Sequence, residues 1–231
     1  MAPVKIGYWD IRGLGSVLRM MLEYAECEYE DKQYSSGEEW FGKDKPEILA
    51  KNPLANLPYV IDGENVVCQS NACFLYLGDK FGWNGSSPAD KIMVVQLLDE
   101  IYDLRNDMIA LVYPFKKYSR TEEEFKANAE EKLTKGCPGY YKKFEKVLEM
   151  NGKKYFMADT LTTPDFHIWE IIDQFEILAK KESKASPVAD FPKLQAFYQA
   201  FKEEPKLQKY FASPAYKLDV NNKAMANAWF A

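Results

Sequence analysis

The sequence predicts a small α/β domain followed by an all-α domain. A strand–helix–strand order closing on a hairpin fills the first eighty or so residues, and helical periodicity fills the rest. Between them lies the turn-rich stretch Gly82 to Pro88 (GWNGSSP). We therefore expect an α/β domain over 1–82, a linker over 83–88 and a helical domain over 89–231. The 231 residues suffice for two modest domains, each with its own core.

Residues 4–9 (VKIGYW) are β-prone and end at Asp10. Val17, Leu18, Met21 and Leu22 fall on one face of a helix from about Ser16 to Ala25, and a second strand follows near Tyr29 to Tyr34. This βαβ order implies a parallel pair joined by a crossover helix. Residues 35–53, with Gly37, Gly42, Pro46 and Pro53, read as a loop with some helix near Pro46 to Lys51. Leu57–Ile61 and Val66–Cys68 flank Asp62-Gly63 and form a hairpin, and Gln69-Ser70 opens a helix to about Phe81. The helical patterns beyond the linker are Ala89–Lys117, Thr121–Met150, Pro164–Ala179, Leu194–Phe201 and a short piece near Leu207. Breaks are signalled at Pro114, Gly136 to Gly139, Asn151-Gly152, Ser186-Pro187 and Pro205. The tail from Ser213 shows no clear element.

Composition removes several functional classes. A formal net charge of −5 gives no general attraction to nucleic acid or an anionic membrane. Lys142, Lys143 and Lys146 read as a solvated helix face. With four scattered cysteines, no CxxC pair and His167 as the only histidine, a zinc site is not expected. No stretch reaches the roughly 18 apolar residues of a membrane span, and no signal-peptide core precedes the first strand. The expected compartment is reducing, most simply the cytoplasm. Aromatic residues make up 15% of the chain, which suits a full core and also a pocket for flat apolar ligands.

Several residues can be read two ways. Thr162-x-x-Asp165 resembles a capping box before an apolar helix, a folding feature. His167, on that helix, reads as structural. Leu57-Pro58 is trans by default, yet a proline here can leave a main-chain edge for an extended peptide. Ser70 reads as a helix cap, and the free N–H groups beside it would suit a carboxylate. Tyr8 alone reads as a half-buried core aromatic; the alternative is a hydroxyl facing a ligand beyond the strand end.

Taken together, these pieces resemble the glutathione transferases. Gly7-Tyr8-Trp9-Asp10-Ile11-Arg12-Gly13-Leu14 is similar to the opening of mu-class members. Asn56 to Gly63 and Gln69-Ser70-Asn71-Ala72 match the next two motifs at compatible spacing. Asp103-Leu104-Arg105, Leu111-Val112-Tyr113 and Asp190-Phe191-Pro192 resemble mu and pi members. The resemblance spans almost the whole chain and is densest over 4–80.

The resemblance implies a thioredoxin-like N-terminal domain, an all-α C-terminal domain and a homodimer. It implies that Tyr8 donates a hydrogen bond to the glutathione sulfur, with Trp9 and Leu14 as the adjoining wall. It places Leu57, before a cis Pro58, against the cysteinyl main chain with Asn56 alongside. Gln69 and Ser70 would hold the γ-glutamyl carboxylate, and Asp103 of the second subunit the γ-glutamyl amino group. Trp40 and either Lys43 or Lys45 would take the glycyl carboxylate. Trp9, Leu14 and Tyr113 would face a small hydrophobic electrophile, with no metal and no cofactor beyond glutathione as co-substrate. The implied activity is conjugation of the glutathione thiolate to electrophiles in detoxification; a glutathione-dependent isomerase or peroxidase, or a non-catalytic ligand-binding protein, are the alternatives. Three features depart from the mu pattern. The loop between Tyr34 and Asn56 is shorter and leaves its arginine without a match. Leu54 stands where an aromatic key is usual, so the expected dimer buries less area. The C-terminal tail is also unlike the family's.

Overall fold

The structure, a computed structural model, describes residues 3–230. It divides into two compact units, one of Met1–Trp83 with Pro205–Asn222 and one of Asn84–Glu204 with Lys223–Ala231.

The first unit is built on a four-stranded sheet of order β2-β1-β3-β4. Strand β1 (Val4–Trp9) pairs in parallel with β2 (Tyr29–Tyr34), and helix α1 (Gly15–Tyr24) makes the crossover. On its other side β1 runs antiparallel to β3 (Tyr59–Asp62), which turns at Gly63 into β4 (Asn65–Cys68). Gly63 takes φ +60, the left-handed value that an Asp-Gly hairpin turn requires. Helix α3 (Ser70–Phe81) ends on Gly82 at φ +78, a left-handed cap that glycine adopts without steric cost. The mixed parallel and antiparallel sheet follows the order expected from the sequence.

Helix α1 carries Arg19 at zero exposure, which costs free energy unless its charge is paired. Its Nε donates to Asp31 Oδ2 at 2.9 Å and its Nη1 to the Ile11 carbonyl at 2.8 Å, so one arginine ties α1 to β2 and to the turn after β1.

The helix expected near Pro46 to Lys51 is present, but residues 38–44 ahead of it differ from the expected loop. Glu38–Asp44 form a π-helical turn that runs into a short helix α2 (Lys45–Leu49). The driving force is burial: Trp40 and Ile48 join Tyr34, Ala55, Tyr59 and Cys68 in one hydrophobic cluster. Residues 205–222, assigned from the sequence to the helical domain, pack on the first unit instead. Lys206 pairs with Glu26 and Lys209 with Glu23.

The second unit is helical. Helix α4 (Pro88–Val112) opens with a capping box that the sequence reading did not single out. Asp90 N–H donates to Ser87 Oγ at 3.1 Å, and Ser87 N–H returns to Asp90 Oδ2 at 3.0 Å. The helix stops at Tyr113 rather than Lys117, because the residue before a proline is driven out of the helical region; Tyr113 sits at ψ 122 ahead of Pro114. Helices α5 (Glu122–Glu131) and α6 (Cys137–Asn151) do not break at Gly136. They are joined by a π-helical turn, Lys132–Gly136, in which Cys137 N–H reaches back five residues to Lys132 O. One wider turn just before Pro138 accommodates a residue that has no N–H to give.

Helix α7 (Thr163–Lys181) is the buried axis of this unit, and α8 (Pro192–Lys202) packs beside it. Trp169 stacks on Tyr198 and Phe201, and its Nε1 donates to Tyr198 O at 3.0 Å. Asp165 secures the start of α7 by accepting from the N–H of Thr162 at 2.6 Å and of Phe156 at 3.0 Å, so the expected capping function is present. Burial lifts Asp165 to a pKa of about 6 against those hydrogen bonds. His167 is fully buried, edge-on to Tyr102, and burial with Arg105 nearby holds its imidazole down to about 3; it is neutral and structural. Lys143 pairs with Glu100 and Lys146 with Glu149, the solvated face expected of that run. The last residues return to this unit, where Asn227 N–H donates to Val112 O at 2.9 Å.

Candidate functional site

The first unit gathers most of the residues singled out from the sequence. Tyr8 lies one residue from the end of β1. Two glycines enclose its ring in the turn to α1. A Cβ on Gly13 would lie 2.8 Å from Tyr8 Cε1, and one on Gly15 would lie 2.7 Å from Cδ1. Real Cβ atoms do not approach so closely, so both positions must be glycine for the ring to stay where it is. Gly13 also takes φ +41. The turn is anchored from the C-terminal segment: Arg12 N–H donates to Asp219 O at 2.8 Å and Gly13 N–H to Val220 O at 3.2 Å. The Arg12 guanidinium lies over the Tyr216 ring, 4.7 Å from its centroid. Tyr8 is 7% exposed, and among the described residues its hydroxyl makes no hydrogen bond.

The second group is the edge formed before β3. The Leu57–Pro58 bond is cis, the form the resemblance implied rather than the trans default. The Leu57 N–H already has a partner, Asn56 Oδ1 at 2.9 Å. A peptide that pairs with this N–H must therefore displace the Asn56 side chain. Pro58 is buried, and its carbonyl accepts from Cys73 Sγ on α3 at 3.7 Å.

The third group is the start of α3. Gln69, not Ser70, is its N-cap, at φ 76 and ψ 127, and no side chain caps the helix. Ser70 is the first helical residue, so the expected capping role is not the one it has. A non-glycine residue at such a positive φ costs on the order of 1–3 kcal/mol and clusters at functional sites. Gln69 is exposed there, with its Nε2 donating to Leu54 O at 3.3 Å, which ties the strained cap to the loop before Asn56.

The segment 38–45 supplies the remaining candidates of this unit. Trp40 is 1% exposed and stacks at 19° on Tyr59, so it is a core residue first. Phe41, which the sequence reading passed over, is 58% exposed and packs on Trp9 with ring centroids 6.2 Å apart. Lys45 Nζ sits 5.2 Å from the centroid of Phe41, whereas Lys43 is exposed and makes no contact of that kind among the described residues. Only exposure beside a tryptophan could have signalled Phe41, and periodicity does not carry that information. Leu14 is buried at the foot of α1.

Two candidates lie on the second unit. Asp103 is exposed on α4, and Tyr113 is half-buried with its ring against Phe115 at 5.4 Å. Leu54 is 64% exposed, and so are Ile92 and Val95 on α4 in large part.

The family model described as "Glutathione S-transferase, N-terminal domain" matches residues 4–79, and "Glutathione S-transferase, C-terminal domain" matches residues 102–214. Glutathione S-transferase Mu 3 of Homo sapiens is 34% identical over 229 residues, covering 94% of this chain and 92% of that protein. The chain belongs to the glutathione S-transferase family. Among this family's members, glutathione S-transferase Mu 6 of Mus musculus is 33% identical, with 93% of each chain covered. The crystal structure of glutathione S-transferase Blo t 8 is similar at a TM-score of 0.79 and 25% identity, over 98% of both chains. The Onchocerca volvulus pi-class glutathione S-transferase shares the fold at a TM-score of 0.78.

Among the described residues no helix is long and apolar enough to cross a membrane, and no cluster of three or more His, Cys, Asp or Glu could hold a metal ion. Cys68, Cys73 and Cys137 are buried free thiols; burial raises Cys73 and Cys137 far above the ordinary thiol range, so neither is a nucleophile.

Proposed function

We propose that this transferase conjugates the glutathione thiolate to small hydrophobic electrophiles, with Tyr8 as the residue that activates the sulfur. The observation that carries the reading is the Tyr8 ring held by Gly13 and Gly15, with a hydroxyl that no protein group engages among the described residues.

A free thiol of pKa about 8.5 is only a few per cent thiolate at neutral pH. Lowering that value by about 1.5 units requires roughly 2 kcal/mol of preference for the thiolate, and one hydrogen bond to a charged group supplies about 1.5–3 kcal/mol. A tyrosine hydroxyl remains a donor at neutral pH and does not take the thiol proton itself. The thiolate sulfur then forms the new C–S bond, and an aryl halide loses its halide ion while the thiol proton passes to solvent. Glutathione is the co-substrate in this reading, and no further cofactor enters.

Supporting contacts are assigned by chemistry. The start of α3, with Gln69 and Ser70 at its N-terminus and no side-chain cap on it, suits the γ-glutamyl carboxylate. The edge at Leu57 and Pro58, with Asn56 alongside, suits the cysteinyl unit. Lys45 is preferred over Lys43 for the glycyl carboxylate, because it stands over Phe41 beside Trp9. Asp103 of a second copy and Tyr113 are assigned from the family resemblance alone, as are the homodimer, the cytoplasmic location and the detoxifying role.

The test is Tyr8→Phe assayed with glutathione and an activated aryl chloride. The expected result is glutathione affinity within twofold of wild type and turnover lower by roughly 10- to 150-fold, the equivalent of that single hydrogen bond. Unchanged turnover would sink the mechanism.

A further inference from the structure

A buried hydroxyl pair links the sheet to the π-helical segment that carries Trp40 and Phe41 and leads into Lys45. Tyr34, the last residue of β2, has zero exposure, and its hydroxyl donates to Asp44 Oδ2 at 2.7 Å. The same hydroxyl lies 2.9 Å from that of Tyr59, the first residue of β3. A carboxylate has no proton to give, so the Tyr34 proton points to Asp44 and the Tyr59 proton to Tyr34. The chain of donors thus runs Tyr59 to Tyr34 to Asp44 in one direction.

Each end is fixed by packing. The Tyr59 ring packs against Gly7, where an added Cβ would come within 2.2 Å of it, and stacks with Trp40. Tyr34 is packed against Trp40 and Trp9, with centroids at 5.3 and 6.4 Å. Asp44 is the last residue of the π-helical turn and the N-cap of α2, with Lys45 next in sequence. Among the described residues the turn also makes one ion pair to β2, Lys32 to Glu39 at 2.6 Å, which is partly exposed and screened by solvent. Beside the burial of Trp40 and Ile48, the part-buried hydrogen bond at Asp44 is the polar tether next in sequence to Lys45.

We propose that Tyr34 and Asp44 are positioning residues for glutathione. By fixing the π-helical segment they hold Lys45 and Phe41 beside Trp9, and so determine recognition of the glycyl unit without touching the reacting sulfur. This rests on the conjugation reading only for the identity of the ligand; the positioning itself is a property of the free protein.

The experiment uses the full chain with Tyr34→Phe and, separately, Asp44→Ala. Amide hydrogen exchange over 38–49 and affinities for glutathione and for γ-glutamylcysteine, which lacks the glycyl unit, are measured for each. In both variants, exchange over 38–49 should accelerate at least about tenfold while β1 and α3 keep their protection. Glutathione should bind about tenfold more weakly, γ-glutamylcysteine should change by less than about twofold, and kcat at saturating glutathione should stay within about twofold. Equal weakening toward both peptides, or unchanged exchange over 38–49, overturns the proposal. If the wild-type protein binds neither peptide, the conjugation reading fails, and the exchange rates alone decide whether Tyr34 and Asp44 fix the segment.

Discussion

A Cβ placed on Gly15 would stand 2.7 Å from Cδ1 of Tyr8, so helix α1 begins in direct contact with the ring of the candidate catalytic tyrosine. Gly15 is helical and takes no positive φ, so alanine there would ordinarily favour the helix by about 1 kcal/mol. The ring contact reverses that expectation. Gly15→Ala should push the Tyr8 ring aside, costing about 1–3 kcal/mol of stability and lowering kcat/KM by at least about tenfold. Urea unfolding and steady-state kinetics on the same preparation check both; a stabilised, fully active variant would remove the contact from the account.

Gln69 should show the opposite trade. Gln69→Gly relieves the strain of φ 76, worth about 1–3 kcal/mol, against the roughly 0.5–1 kcal/mol that glycine loses in chain entropy. The net expectation is a gain of about 1 kcal/mol in unfolding free energy with about tenfold weaker glutathione binding. Calorimetric binding beside thermal unfolding decides it, and a loss of stability would mean that the Gln69 side chain, through Leu54 O, outweighs the strain.

The buried groups of α7 predict a dependence on pH. His167 has its pKa lowered to about 3, so between the ordinary value of 6.5 and that value the unfolded chain binds the extra proton, and stability falls as pH falls. Asp165, raised to about 6 from 3.8, binds its proton in the folded state first, and its contribution falls as pH rises through that window. From about pH 6 to 4 the two slopes oppose. His167→Gln removes one of them, so its stability relative to wild type should rise by up to about 1.4 kcal/mol per pH unit on acidification. Denaturant midpoints at three pH values test this; parallel curves for the two proteins would contradict the neutral buried imidazole.

Leu54 concerns assembly. With 64% of it exposed in the single chain, it is available as the key to a second subunit. Leu54→Phe adds on the order of 40 Å² of apolar surface, about 1 kcal/mol, at each of the two keys of the proposed homodimer, and should tighten it roughly 30-fold in sedimentation equilibrium. No change would place Leu54 outside the subunit contact.

Much of the architecture was readable before the structure because local patterns and tertiary packing agree. The β-prone run Val4–Trp9, the Asp-Gly turn at 62–63 and the apolar face of α1 each specify the element observed. Where they fail, the deciding interaction is distant in sequence. Trp40 pulls residues 38–44 into a π-helical turn by joining Tyr34 and Tyr59, neither of which is a sequence neighbour. Residues 205–222 belong with the first unit because Leu207 and Tyr210 are buried there and Asp219 and Val220 accept from the Arg12 and Gly13 N–H groups, contacts no periodicity encodes. The positions of Tyr8, Leu57, Pro58, Gln69 and Ser70 were legible through motif spacing. The strain at Gln69, the occupied Leu57 N–H and the part of Phe41 were not, since each depends on a backbone angle or a contact that residue type leaves open.

Thiol activation by Tyr8 is most directly tested by titrating glutathione bound to the protein, following thiolate absorbance. Wild type should give an apparent thiol pKa near 7, about 1.5 units below the free value, and Tyr8→Phe should return it to about 8.5. A low pKa that survives Tyr8→Phe would contradict the assignment of the activating hydrogen bond to Tyr8.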